Sequence, residues 1–333
     1  MVEALVAADP SASASWLTAD DGAAAIALLD DVDLLVVCRA LYSPHVAALI
    51  ARAKALGIRV LFDVDDLIFD DRYAHLIMET LDQPVDETSL QAWFGWIARC
   101  GATLRLCDGA ITTNHLLAER IEQFADLPTW VIPNFLNHAQ MELSERVRRE
   151  KAASRWARDG LTHFGYFSGT PTHNRDFAIA APALARLMDD DPRVRLRVVG
   201  FPPQSEQLAA YSSRIETIPL QDFLNLQLAI GEVEINVVPL QDNAFTNCKS
   251  ELKYFEAALV GTISVASPSY TLNRSISHGD NGYIARAHEW DRVLRTALDQ
   301  VDDCAMADRA ASDALERYAP EAQAEALCRA LLA

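Results

Sequence analysis

The sequence predicts an α/β protein made of two Rossmann-like domains in series. Short apolar strands alternate with helices from Asp33 to Ile132, and a second such series runs from Thr162 to Ala266. Strands alternating with helices of this length imply βαβ units and a parallel sheet. The strand Thr262–Ala266 has no polar alternation, as expected when helices cover both faces of a sheet. At 333 residues the chain is long enough for two domains.

The elements follow in order. Asp33–Cys38 reads as an apolar strand, Pro44–Leu56 as an Ala-rich helix capped by Gly57, and Arg59–Phe62 as the next strand. Ser89–Leu106 is a long helix, Gly109–Thr112 a strand, His115–Phe124 a helix, and Thr129–Ile132 a strand stopped by Pro133. Residues 141–158 are Arg/Glu-rich and read as a helical link between the domains. The second series then opens with strand Thr162–Phe167 and the polar turn Ser168–Asn174. Helix Phe177–Asp189 and strands Val194–Val199 and Glu234–Val238 follow. Next come a charged helix, Lys249–Gly261, and the strand Thr262–Ala266. Gly261 sits where a helix C-cap belongs. Helices Trp290–Val301, Ala305–Arg317 and Glu321–Leu332 close the chain. The boundaries implied are 1–140, 141–318 and a tail, 319–333. Ligands are expected between the domains, at the carboxyl ends of the strands.

Half of the residues are hydrophobic and 23% are charged, the balance of an ordinary globular protein. The net charge of −18 argues against nucleic acid as the main partner, although a local basic pocket for an anion is compatible with it. No apolar run approaches the ~18 residues of a membrane span, and the N-terminus lacks the pattern of a signal peptide. The six cysteines contain no C-x-x-C pair, which suits reduced thiols and a cytoplasmic location.

Three segments carry candidate chemistry. Lys249-Ser-Glu-Leu-Lys-Tyr-Phe-Glu256 places Lys249 and Lys253 at a helix start, where phosphate binds readily, and Glu256 where a carboxylate can accept hydrogen bonds from a ribose diol. The plainer account is a solvated face with salt bridges at helical spacing. Gly165-Tyr-Phe-Ser-Gly-Thr-Pro-Thr-His-Asn-Arg-Asp176 joins a strand to a helix. Gly169 and Thr170 are small enough for close approach of a ligand, the turn amides favour anions, and Arg175 can grip a phosphate with two nitrogens. It matches neither a Walker loop nor G-x-G-x-x-G, and a plain turn with Arg175 in a surface pair is the alternative. Asp63-Val-Asp-Asp66 ends a strand and faces the expected cleft, where Asp65 or Asp66 can orient a sugar, act as a base or hold a metal. Helix capping by either residue is the structural alternative. Arg39 and His45 follow the Asp33–Cys38 strand at the same edge.

Taken in order, these motifs resemble the GT-B glycosyltransferases, specifically the retaining family-4 type. Phe164–Asp176 is similar to the family's phosphate-contacting loop, Val194–Gly200 to its L-x-x-V-G strand, and Lys249–Ser267 to its donor helix and following strand. Asp280-Asn-Gly282 is similar to the next turn, and Val131-Ile-Pro-Asn134 to the strand that closes the N-terminal domain, with Phe135 replacing the usual glycine. The resemblance covers residues 31–300. It implies two Rossmann-like domains facing across a cleft, with the C-terminal helix crossing back to the first. The implied substrates are a nucleoside diphosphate sugar, with UDP or GDP as carrier, and a hydroxyl acceptor, as in polysaccharide biosynthesis. No cofactor and no metal are implied. Glu256 would bind the donor ribose, Gly169, Thr170, Arg175, Lys249 and Lys253 the donor diphosphate, Asp65 and Asp66 the transferred sugar, and Arg39 and His45 the acceptor side. The first glutamate of the family's E-x7-E falls on Cys248. The resemblance also requires an opening strand, for which only Val2–Ala8 is available. The first domain is therefore short, and a further domain or partner could complete it. Two rivals stand beside this reading: a binding module that lacks a full acceptor site, and a single-domain, metal-dependent GT-A transferase using Asp63 and Asp65.

Overall fold

The computed structural model describes residues 1–18, 21–154, 159–202, 205–302 and 304–332. Among them are two separate, wholly parallel sheets. The first contains β1 (Leu34–Cys38), β2 (Arg59–Asp63), β3 (Gly109–Thr112) and β4 (Thr129–Val131), in spatial order β1-β2-β3-β4. The second contains β5 (Thr162–Ser168), β6 (Val194–Gly200), β7 (Ile215–Ile218), β8 (Ile235–Val238), β9 (Ile263–Ala266) and β10 (Tyr283–Ile284), in order β10-β9-β8-β5-β6-β7. The strand order reverses between β5 and β8, so loops leave the carboxyl ends of these neighbours in opposite directions and open a crevice there.

Local chemistry sets the helices that cover these sheets. Ser43 caps Pro44–Ala55 by accepting from Val46 N, with Pro44 in the first turn. Asp86 caps Glu87–Leu104, and Asn114 caps His115–Ala125. In the second domain, helix Asn174–Asp190 lays Phe177, Ala180, Leu184, Leu187 and Met188 on the sheet, against Phe164, Leu196 and Val198.

The chain passes between domains twice, side by side. The Leu136 amide donates to the Tyr318 carbonyl at 2.9 Å. The outgoing helix, His138–Ala153, is not a free link as residues 141–158 suggested. Val147 fills the space over Gly231, where a Cβ would come within 2.2 Å of it. The buried Lys151 Nζ donates to Val233 O at 2.5 Å and to Thr262 Oγ1 at 2.7 Å. Residues 155–158 lie outside the described residues. On the return, Ala324–Leu331 packs Leu327, Ala330 and Leu331 against Leu61, Ile111 and Ile132 of the first sheet, and Arg59 Nη2 holds Ala330 O at 2.7 Å.

Two expectations are corrected. Val2–Ala8 is a helix, with Ala4 and Leu5 buried against the C-terminal helix, and β1 is left at the edge of the first sheet. The charged helix begins at Leu252 rather than Lys249, with Glu251 as its N-cap residue. Before it, Asn243 and Thr246 form a capping box that closes a separate turn, Ala244–Asn247. β7, β10 and helix Phe223–Gly231 carried no clear periodicity in the sequence.

The short Ala244–Asn247 turn fastens the domains. Phe245 and Cys248, 2% and 0% exposed, belong to the hydrophobic core of the first domain although they follow β8 of the second. Around them, Gln241 Nε2 donates to Thr80 O, Asn243 Nδ2 to Thr80 Oγ1, and Asn114 Nδ2 to Cys248 O. Phe245→Ala should therefore lower stability in chemical denaturation by ~3 kcal/mol, the cost of an emptied aromatic site. Phe201→Ala, at a position 37% exposed, should change it by less than about 0.5 kcal/mol.

Candidate functional site

The crevice between β5 and β8 holds a charged cluster. The turn after β5 carries His173, and helix Asn174–Asp190 carries Asp176, whose carboxylate is 1% exposed. Asp176 Oδ2 lies 3.0 Å from His173 Nδ1, and Oδ1 accepts from both Gln241 N and Gln241 Nε2 at 3.0 Å. Gln241 belongs to the loop after β8, so one buried carboxylate ties both edges of the crevice together. Burial works against its charge, but the hydrogen bonds from His173 and Gln241 hold the Asp176 pKa below the ordinary value. Burial lowers His173, Asp176 opposes that shift, and the charges of Lys253 and Lys249 add to it, leaving it below the usual imidazole range.

Lys253 lies on the next helix, with its Nζ 5.5 Å from the Tyr166 ring centroid. Burial brings its pKa down to about 8, with Asp176 opposing. Glu256, one turn on, is buried and accepts a long 3.4 Å hydrogen bond from Gln140 Nε2. Burial pushes its pKa up to about 7, and the Gln140 bond and Lys253 offset only part of that. The surface-face alternative for this helix therefore fails at Glu256, which is 8% exposed.

The turn itself is built for close approach. Gly200, at the end of β6, has φ +94°, and a Cβ there would meet Ser168 O at 2.0 Å, so only glycine lets β6 run this near the turn. Ser168 Oγ donates to Thr170 O, and Thr170 and Thr172 share a hydroxyl bond of 2.8 Å. Gly169 and Thr170 are exposed, and a Cβ on Gly169 would meet no protein atom within 4 Å.

The remaining candidates fall into two groups. Asp65 and Asp66 sit across from the second domain: Arg39 Nη1 lies 2.9 Å from Asp65, and Lys249 Nζ lies 3.3 Å from Asp66. Neither caps a helix. Asp70 does that, accepting from Arg72 N at the start of the turn Asp71–Tyr73. Arg39 holds φ +46°, a left-handed conformation uncommon outside glycine, fixed by its amide bond to Asp63 O. Burial, then repulsion from Asp65, raises the Asp63 carboxyl to about 6. Arg175, by contrast, turns away from the lysines and pairs with Glu79 and Asp82 of the first domain, at 3.3 and 3.1 Å. That is the surface pair allowed for from sequence, here bridging two domains. His45 is exposed in the first turn of its helix. Among the described residues no group of three or more His, Cys, Asp or Glu side chains is arranged to hold a metal ion, and no helix is long and apolar enough to cross a membrane.

Sequence reasoning missed His173, Asp176 and Gln241. The first two lay in the quoted loop, but a buried Asp–His pair has no signature in one dimension, and Gln241 is distant in sequence.

No protein-family model matches the chain, and no curated protein is similar to it in sequence. Solved structures do match. HepE from Anabaena, in complex with UDP and glucose, superposes with a TM-score of 0.62 at 14% identity, over 95% of this chain and 83% of that one. Sucrose-phosphate synthase from Thermosynechococcus elongatus gives 0.60 at 15% identity, over 95% and 79%. TarM from S. aureus, in a complex that includes UDP, gives 0.57 at 13%, over 85% of this chain and 53% of that one. These are GT-B glycosyltransferases, and this chain has their fold: two Rossmann-like domains with parallel sheets. The two-sheet fold favours this reading over the single-domain GT-A alternative.

The raised pKa of Glu256 has a testable sign. Below pH 4.5 the carboxyl is protonated in both folded and unfolded chains and costs nothing. As pH rises the unfolded chain ionises first, so the folded state loses stability until about pH 7 and keeps a constant penalty above it. The shift from 4.5 to about 7 corresponds to roughly 3 kcal/mol. Glu256→Gln should raise the melting temperature clearly at pH 8 and scarcely at pH 5. Equal effects at both pH values would show that Glu256 is not strained by burial.

Proposed function

We propose that the chain is a glycosyltransferase that moves a sugar, with retention, from a nucleoside diphosphate sugar to a hydroxyl acceptor, in the manner of family 4. The observation that carries this reading is the crevice at the strand-order reversal. There, Lys249 and Lys253 flank a glycine-bearing turn, and a buried carboxylate, Glu256, lies one helical turn further on. The donor diphosphate occupies that crevice. Lys253, Lys249 and the amides of residues 168–173 stabilise the negative charge that grows on the leaving diphosphate as the anomeric bond breaks. Glu256 accepts the ribose hydroxyls. The UDP complexes of HepE and TarM favour uridine as the base.

The acceptor enters from the first domain. Asp65, held by Arg39 within the first domain, and Asp66, held by Lys249 across the seam, orient the transferred sugar or the attacking hydroxyl. Holding both substrates across one cleft supplies the proximity that transfer requires. Arg39 lines the acceptor side, with His45 at its margin. Arg175 reaches the diphosphate only if it leaves Glu79 and Asp82, so in this arrangement its role is to join the domains. Because the lysines supply the positive charge, no metal ion is needed. A pure binding module remains the second reading, favoured by the four-stranded first sheet with β1 at its edge.

A thermal-shift screen of UDP, GDP, ADP and TDP with their sugars tests the function. A ligand that binds the native state raises the melting temperature by mass action, so one base should stand out, and UDP is expected. Glu256→Ala should then weaken that nucleotide roughly tenfold or more, the loss of a hydrogen bond to a charged group. Unchanged affinity would remove Glu256 from the site, and activity lost in EDTA but restored by Mn²⁺ would contradict the metal-free mechanism. Binding without turnover of any sugar nucleotide would favour the module.

A further inference from the structure

The mechanism above leaves one buried titratable pair at the centre of the crevice unused. His173 and Asp176 sit between the turn that would cradle the diphosphate and the two lysines that would neutralise it. Asp176 is ionised and can only accept, so a neutral His173 must carry its hydrogen on Nδ1, facing Asp176 at 3.0 Å. Nε2 is then left with a lone pair. The side chain is 16% exposed, open enough for a ligand or a solvent proton to reach it. Its main chain is fixed as well, since Tyr166 Oη donates to His173 O at 3.4 Å.

On the donor-site reading given above, we propose that His173 is a third cation of the diphosphate site, neutral while the crevice is empty and protonated on Nε2 when a diphosphate enters. The charges around it set this behaviour. Lys253 faces it from helix Leu252–Leu259, and Lys249 from the segment before that helix. Glu256 interacts with Lys253, and Asp66 pairs with Lys249. Arg175, its near neighbour in sequence, is paired away with Glu79 and Asp82. Among the described residues, Asp176 is the carboxylate in direct contact. In the empty crevice two cations therefore oppose a third. A bound diphosphate cancels their repulsion, while Asp176, anchored by Gln241, remains behind the ring to stabilise an imidazolium. On binding, a proton from solvent forms the Nε2–H bond with the ring nitrogen's lone pair, and no bond of the sugar nucleotide changes. During transfer the acceptor oxygen bonds to the anomeric carbon as the bond to the diphosphate breaks. The electron pair of that bond stays on the diphosphate oxygen, which takes the acceptor's proton, and His173 Nε2–H keeps its proton and donates a hydrogen bond to the diphosphate.

Calorimetric titration measures this directly. The probe is the tightest binder among UDP-, GDP-, ADP- and TDP-glucose, whose phosphates do not titrate near neutral pH. Titration at pH 7 in two buffers of different ionisation enthalpy gives the number of protons taken up. Comparing the wild type with His173→Asn cancels any contribution from Glu256 or the buffer. The wild type should take up more protons than His173→Asn, by a difference approaching one per site. The variant should bind roughly tenfold more weakly, because a charge-assisted hydrogen bond is lost. His173→Gln is the second variant, and unchanged melting temperatures without ligand verify that both fold. Tight binding with equal proton uptake in wild type and variants overturns the role of His173 while leaving the donor site intact. If none of the four sugar nucleotides binds the wild type, the donor-site reading fails and this inference fails with it.

Discussion

The Asp176 carboxylate is the constraint on which the rest of the site depends. A buried charge is tolerated only when its hydrogen bonds are made. Asp176 makes them with three groups from two parts of the chain: the ring of His173 in the turn after β5, and the amide and side chain of Gln241 in the loop after β8. The two loops that diverge at the strand-order reversal are thus fixed relative to each other. Gln241 continues the chain of bonds by donating to Thr80 of the first domain. Losing the carboxylate would free the turn, the loop and one link of the domain seam together.

The seam explains why the charges of the crevice are so perturbed. With Phe245 and Cys248 sunk in the first domain and Asn114, Asn243 and Asn134 bonded across, the second domain's helix Leu252–Leu259 is kept close to the first domain. Lys253 is lowered to about 8, Glu256 is raised to about 7, and His173 is lowered, each with burial as the leading cause. Three groups of different type displaced toward neutrality around one crevice are the pattern of a functional site. An anion entering beside Lys253 would favour its charged form, and hydroxyl donors beside Glu256 would favour its ionised form.

Much of this was legible in one dimension. The repeated βα pattern marked eight of the ten described strands; β7, with Glu216 and Thr217 exposed, and β10, two residues long, gave no apolar run long enough to read. The resemblance assigns Val2–Ala8 as a strand because it requires an opening strand and no other segment is available, but its alanines favour a helix and Leu5 packs with Leu327 and Leu331 of the C-terminal helix. Lys253 and Glu256 were legible because helical spacing and a glycine stop are local signals. The pairing of Lys249 with Asp66, 183 residues apart, and of Arg175 with Glu79 and Asp82 is set by how the domains meet, which no local pattern encodes. His173, Asp176 and Gln241 were hidden for the same reason.

The most direct test of the central claim is an experimental structure of the chain with a nucleoside diphosphate bound. The account predicts the diphosphate against the turn of residues 168–173, with oxygens within hydrogen-bonding distance of Lys253 Nζ and the ribose on Glu256. A nucleotide seated elsewhere, or held through a metal on Asp63 and Asp65, would contradict it.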